Sequence, residues 1–426
     1  MNTSVRASRI GLACGALLAA VALTACGAAS SGSGGDGAAT SPASSSGTAG
    51  SGGPSSTAAS AAGGAASSTP AAPATAASTS TMTLPSGGPV PIGFAATSVT
   101  FVSPEEAFVL GTAPCAKAPC TSILRTLDRG ASWRGLPAPV VPLAAQPAVV
   151  AGPAVWGIRF ANPWDGFVFG NGLWETTDGG ERWTSAVSPA GPIESLEVID
   201  GQVLAVTGTC SPNFGCDGQT GTLMRRPLAG GAWTVVSRVS GRGAIATQAR
   251  VAAVLDGDDV IVTANGGIST VTHAGPCSTA GIAAPDSLAV TGPTGLALLC
   301  GGDGAAGSVD KTVFVSDDLG AHWSVAGSPA RGGDPEEISA GSASQLVVAA
   351  ASGASMLYYS ADGGAQWSTA YYEGDGGLGF NDLGFTTPAD GVVVYGPALS
   401  DSNAESRPGW LLLTSNGGAS WHPVPF

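Results

Sequence analysis

Two arginines, a few paired carboxylates and one tyrosine pair hold most of the chemistry that this 426-residue chain offers. A planar guanidinium presents a fork of N–H donors matched to a carboxylate. Arg159, in Trp156-Gly157-Ile158-Arg159-Phe160, and Arg250 both fall on stretches that read as inner strands. Glu194 with Glu197, and Glu336 with Glu337, are acid pairs of the kind glycoside hydrolysis uses, although spacing along the chain gives no separation between them. Tyr371-Tyr372-Glu373-Gly374-Asp375 sets aromatic faces beside acids in a connection that runs to Asp382, a composition suited to a sugar or a cationic group. His273, His322 and His422 are scattered and no Cys-x-x-Cys occurs, so neither a metal nor a cofactor is expected.

The other acids that draw notice are repeated. A hydroxyl residue, any residue, Asp, any, Gly, two more and Trp recur as Thr126 to Trp133 (Asp128), Thr176 to Trp183 (Asp178), Ser316 to Trp323 (Asp318) and Ser360 to Trp367 (Asp362). A fifth copy, Thr414 to Trp421, has Asn416 in the Asp position. Asp followed closely by Gly suits a tight turn: the carboxylate accepts from main-chain N–H groups further on, and Gly takes the positive φ. The Trp then offers a large apolar face to a neighbouring sheet. Turn chemistry thus accounts for residue types and spacing without a ligand.

Between these turns lie hairpins of apolar strand, turn and apolar strand: Phe101 to Gly111, Phe160 to Gly170 and Phe385 to Gly396, with weaker versions at Val198 to Leu204, Val254 to Val262, Val290 to Leu299 and Ile338 to Val348. Pairing each hairpin with the turn after it gives seven four-stranded units. Two turns have decayed, with Leu228 in the Asp position before Trp233, and His273 before Gly275 with Ser278 for Trp. The resulting positions 128, 178, 228, 273, 318, 362 and 416 are regular enough for propeller blades of roughly 40–50 residues. The expected fold is an all-β, seven-bladed propeller over residues 89–426.

The repeated turn resembles the Asp-box, or bacterial neuraminidase (BNR), repeat, which closes the outer hairpin of propeller blades. That resemblance implies a sialidase-like alternative: three arginines around the substrate carboxylate, a Tyr–Glu nucleophile and a general acid. Here only Arg159 and Arg250 stand on inner strands, and no Arg-Ile-Pro precedes the first box. Similar seven-bladed repeats in photosystem II assembly-factor-like proteins imply a non-catalytic module that binds a protein; a carbohydrate ligand stays open beside it.

Composition bounds location. The net charge of −14, with no acid in the first 25 residues, argues against nucleic acid as a partner. Residues 1–25 carry Arg6, Arg9 and an apolar run ending in Leu23-Thr24-Ala25-Cys26, which resembles a lipoprotein signal and its lipobox. That resemblance implies acyl chains such as palmitate on Cys26 and a lipid bilayer as partner, holding the protein on the extracytoplasmic face of the cell membrane. Residues 26–88 are nearly all Ser, Gly, Ala, Thr and Pro, and read as a disordered tether spanning about 40–45 Å. Apart from Cys14 in the signal and Cys26, six of the eight cysteines remain, an even number that suits an oxidising compartment. Cys115 with Cys120 and Cys210 with Cys216 each close a short loop, which leaves Cys277 for Cys300.

Overall fold

The computed structural model describes residues 84–144, 152–208, 220–240, 243–248, 250–264, 269–282, 284–305, 307–396 and 409–426, all inside one compact unit, Ser78–Phe426. Apolar, β-branched runs pair antiparallel in chain order, as in blade one: Ala95–Phe101, Ala107–Thr112, Thr121–Thr126 and Arg134–Leu136. In blade two the second and third strands run through Asn171-Gly172 as one stretch, Gly166–Thr176. Its first half pairs with Ala154–Phe160 and its second with Thr184–Ser185. Seven four-stranded blades result.

The innermost strands are Ala95–Phe101, Ala154–Phe160, Ile193–Ile199, Ile245–Gln248, Ala284–Val290, Asp334–Ala340 and Phe380–Phe385. Each lies against the next, and the seventh against the first, which closes a ring. Second strands are covered on both faces by neighbouring blades and therefore read as unbroken apolar runs rather than alternating ones. Leu346, Val347, Val348, Ala349 and Ala350 are all fully buried.

Apolar clusters fill the seven seams, and the repeated Trp of a blade packs on the seam with the blade before it. Trp183 joins blades one and two, Trp233 two and three, Trp323 four and five, Trp367 five and six, Trp421 six and seven, and Trp133 seven and one. The seam of blades three and four, where Ser278 was matched to the Trp, has none.

Blade four departs from the expected phase by one strand. Ile245–Gln248 pairs with Val251–Asp256, which pairs with Asp259–Ala264, which pairs with Ser269–Ala274. The Val254 to Val262 hairpin therefore joins second to third strand, and His273 sits on the outer strand opposite Val260, not in a turn. The reason is a bond: Ile245 donates its N–H to Ser195 Oγ (3.2 Å), as Ile158 does to Ser98 and Ile338 to Ser287, and this docks the short strand innermost. The connection between third and fourth strands, 265–268, lies outside the described residues. In sequence, Thr263, Asn265 and Gly267 repeat the residue types of Thr414, Asn416 and Gly418.

That phase also explains a disulfide. A short helix, Pro276–Thr279, follows the outer strand of blade four and puts Cys277 in the seam with blade five, bonded to Cys300 with a Cα separation of 5.7 Å. Cys115–Cys120 closes the loop between second and third strands of blade one. Cys210, Cys216 and Cys26 lie outside the described residues. Leu84 to Gly88, placed at the end of the tether by composition, runs against blade one: Gly88 and Gly135 exchange N–H···O bonds of 2.8 and 3.0 Å, and Arg125 bonds Pro85 O.

Candidate functional site

The inner strands do more than line the channel, because six of the seven carry a β-bulge near their start. A bulge re-aims side chains and frees backbone N–H groups from the ladder. In blade seven the bulge spans Asp382 and Leu383, and Asp382 takes a left-handed φ of 56°. This points the two amides at blade six, where Glu337 accepts both: Asp382 N at 3.2 Å and Leu383 N at 2.7 Å. Glu336 accepts from Phe380 N at 2.9 Å. Glu337 occupies the strand position that Ser98, Ser195 and Ser287 hold in blades one, three and five, one residue past the bulge, and does the same work with two oxygens instead of one.

Asp382 in turn reaches across the ring. Its Oδ2 accepts from Val99 N of blade one (2.9 Å), and its Oδ1 from Arg159 Nη2 of blade two (2.9 Å). Arg159 Nε donates to Glu197 of blade three (2.7 Å), and Nη1 donates to its own strand's Ile158 O (2.8 Å). With Nη1 also 3.4 Å from Val99 O, one guanidinium joins blades two, three, seven and one, and Glu337 ties in blade six through Asp382 and Leu383. The side chains of Arg159, Glu197 and Asp382 are each one-fifth exposed, so they line the channel within reach of water.

The electrostatics follow from one cation among three acids. Burial acts against the charge on Arg159, but Asp382 and Glu197 outweigh it and hold the guanidinium charged. Burial raises Asp382 too, and the bonds and charge of Arg159 overcome that, leaving it below the usual carboxylate range. Glu197 is raised by burial despite Arg159. For Glu337, burial and then the Asp382 charge push it up to about 7, against the pull of the two amides and of the Arg159 charge.

With this geometry in view, the chain can be set beside known proteins. No protein-family model matches it, and no curated protein matches it. Solved structures do. It is similar to "YCF48 bound to D1 peptide" at 14% identity and a TM-score of 0.51, covering 77% of this chain and 95% of that one. It is equally similar to YCF48 from Cyanidioschyzon merolae, at 14% identity and 0.51, covering 77% and 97%. The shared feature is the propeller fold.

Of the residues singled out by sequence, Arg159 and Asp382, 223 positions apart, are brought into contact. The tyrosines are not brought there. The connection expected from Tyr371 to Asp382 is largely strand: Ser368–Gly376 forms the outer edge of blade six. Tyr371 packs edge-on against Phe380 and Tyr395 in the seam, Tyr372 faces solvent at 64% exposure, and Asp375 lies further along the same strand. Arg250 pairs with Asp200 (3.1 Å) at the hairpin ends of blades three and four. Sequence reasoning missed the inner-strand serines and the role of Glu337; the recurrence of Ser98, Ser195 and Ser287 was the available signal. A shallow groove of about 460 Å³, lined by Ile92, Phe94, Trp410, Pro425 and Phe426, runs along the seam of blades seven and one and includes none of the channel groups.

The repeated turns are structural in detail. In each of the five, the carboxylate or amide Oδ1 accepts from the hydroxyl two residues before and from the amide four residues after, while that hydroxyl accepts from the N–H of the glycine two residues after the Asp or Asn: for Asp178, Thr176 Oγ1 at 2.8 Å, Arg182 N at 2.9 Å and Gly180 N to Thr176 Oγ1 at 3.0 Å. Asn416 reproduces the pattern at 2.9 and 3.0 Å, so an oxygen is required and a charge is not.

Proposed function

We propose that the chain is a lipid-anchored extracytoplasmic propeller that recognises a protein partner, with the rigid ring as scaffold. One observation supports this reading over a sialidase-like hydrolase: the guanidinium of Arg159 is already satisfied by Glu197, Asp382 and Ile158 O, so the fork that would clamp a substrate carboxylate is occupied from within. Releasing it would leave three carboxylates facing one another without a counter-charge. A peptide-bound structure of YCF48 makes a peptide segment the natural class of ligand by analogy of fold. Anchoring rests on Arg6, Arg9, the apolar run and Cys26.

Crosslinking in intact cells, followed by detergent extraction and identification of covalent adducts, tests the partner. Recovery of a discrete protein with the parent chain, lost after proteolysis of the partner, is the expected result; turnover of a fluorogenic sialoside by purified protein would replace this reading with hydrolysis. Cys26→Ser is expected to release the chain from membranes or block its maturation, and unchanged partitioning into detergent would refute the anchor.

A further inference from the structure

The chain has only two lysines, and it spends one of them in the core. Lys117 is exposed, whereas Lys311, on the third strand of blade five, is 1% exposed. Among the described residues no carboxylate lies within ion-pair distance of its ammonium. Instead Nζ lies 2.8 Å from Gly333 O, 2.9 Å from Val309 O and 3.0 Å from both Arg331 O and Gly332 O. The face of the Tyr358 ring closes the site at 5.8 Å. An ammonium has three donors, so four carbonyl oxygens at nearly equal distance form a shell around a charge rather than a set of directed pairs. Carbonyl oxygens gathered in this way replace the hydration shell of a monovalent cation.

Backbone shape makes the shell. Gly333 takes φ 74°, and a Cβ there would sit 2.8 Å from Met356 Cε and 2.9 Å from Ala350 C. A Cβ on Gly332 would come within 2.9 Å of Tyr358 Oη, which donates to Gly332 O at 2.9 Å. Three consecutive carbonyls thereby converge on one point. The loop is further tied by Val309 N to Arg331 O (3.0 Å) and Gly333 N to Gly307 O (2.9 Å). The next residue, Asp334, begins the inner strand that carries Glu336 and Glu337 into the channel.

We propose that Arg331, Gly332 and Gly333 form a backbone site for a monovalent cation, that the ammonium of Lys311 is its tethered occupant, and that Lys311 is thereby a positioning residue for the channel strand of blade six. Burial pulls the lysine down to about 8, with Asp334 and Asp310 opposing, so it is an ammonium at neutral pH.

The test is cation rescue in the full-length chain. Lys311→Ala in N-methylglucamine chloride is expected to lower the melting temperature by about 5 °C or more and to speed hydrogen exchange over residues 334–340. Potassium at equal ionic strength should restore most of the loss, and lithium should not. Lys311→Met, which fills the space without the charge, should stay low in every salt. A Lys311→Met protein as stable as its parent, or a Lys311→Ala loss identical in all three salts, would overturn the proposal. Acylation of the unaltered protein guards against a variant that does not fold: Lys117 should react and Lys311 should be spared until unfolding, and equal labelling of the two would also overturn it.

Discussion

The outer turns and the channel wall both satisfy polar groups at strand ends, yet they do so over very different lengths of chain. In a turn every partner lies within four residues, as between Thr176, Asp178, Gly180 and Arg182. On the channel wall the partners are 38, 45, 223 and 283 positions apart, in Arg159–Glu197, Glu337–Asp382, Arg159–Asp382 and Val99–Asp382. Local bonds can repeat with each blade because each copy needs only itself. The serine-to-amide bond between neighbouring inner strands still recurs three times, but the contacts around Arg159 and Asp382 occur once, because a single residue in one blade must fit a single residue in another. Damage should therefore be small and alike in any turn, and larger and unique on the wall.

The largest expected effect tests that contrast directly. Arg159→Met removes the one cation that the described residues set among Glu197, Asp382 and Glu337, and is expected to destabilise the fold by about 2–3 kcal/mol at pH 7, a figure kept below that of a fully buried pair because water reaches the site. Denaturant unfolding measures it; a loss no greater than that of a turn variant would erase the distinction drawn here.

Next comes the turn itself. Asp178→Ala forfeits two accepted hydrogen bonds at a partly buried site and should cost about 1 kcal/mol, whereas Asp178→Asn should stay within about 0.5 kcal/mol, since Asn416 already serves in the last copy. Equal losses from the two substitutions would show that the charge, not the oxygen, holds the turn.

The wall should also carry a pH dependence that the turns lack near neutrality. Glu337 is raised in the folded state to about 7, so its protonated form is the favoured one there; the stabilisation is complete below the unfolded value near 4.5 and is lost as pH rises through 7. Between pH 5 and pH 8 this group should make the protein less stable by on the order of 1 kcal/mol. Glu337→Gln should flatten that part of the profile, and a slope unchanged in the variant would assign it to another group.

Smallest of all, Tyr372→Ser on the outer edge of blade six should change stability by less than about 0.5 kcal/mol and leave partner binding untouched. A loss of binding with stability intact would place the recognition surface on that edge.

The same difference in range explains what the sequence made legible. The turns and hairpins could be counted to seven because their signals are short and repeated. Blade four slipped by a strand because its inner strand, Ile245–Gln248, has one large apolar residue, while the stronger hairpin beside it looked like a beginning. Arg159, Asp382, Glu197 and Glu337 were each visible as chemistry-bearing residues, but nothing along the chain says that a bulge at Asp382 will turn two amides toward Glu337. Tyr371 and Tyr372 misled for the opposite reason: aromatics beside acids look like a ligand loop, and an edge strand extended to Gly376 uses the same residues for seam packing and a solvent face.

Each blade is built from four consecutive strands, and the first and last share no sheet: they meet through Val99 N to Asp382, Ala96 N to Gly409 O and an apolar seam that takes in Phe94, Trp133 and Phe426. The ring is thus modular in the genetic sense. Whole blades can be duplicated, deleted or grafted at the linkers without unpairing a ladder, and a circularly permuted gene would break no hydrogen bond inside any sheet. The cost of such rearrangement falls on the once-only contacts around Arg159 and Asp382, which need all of their blades in place, rather than on the repeated turns, which need only their own.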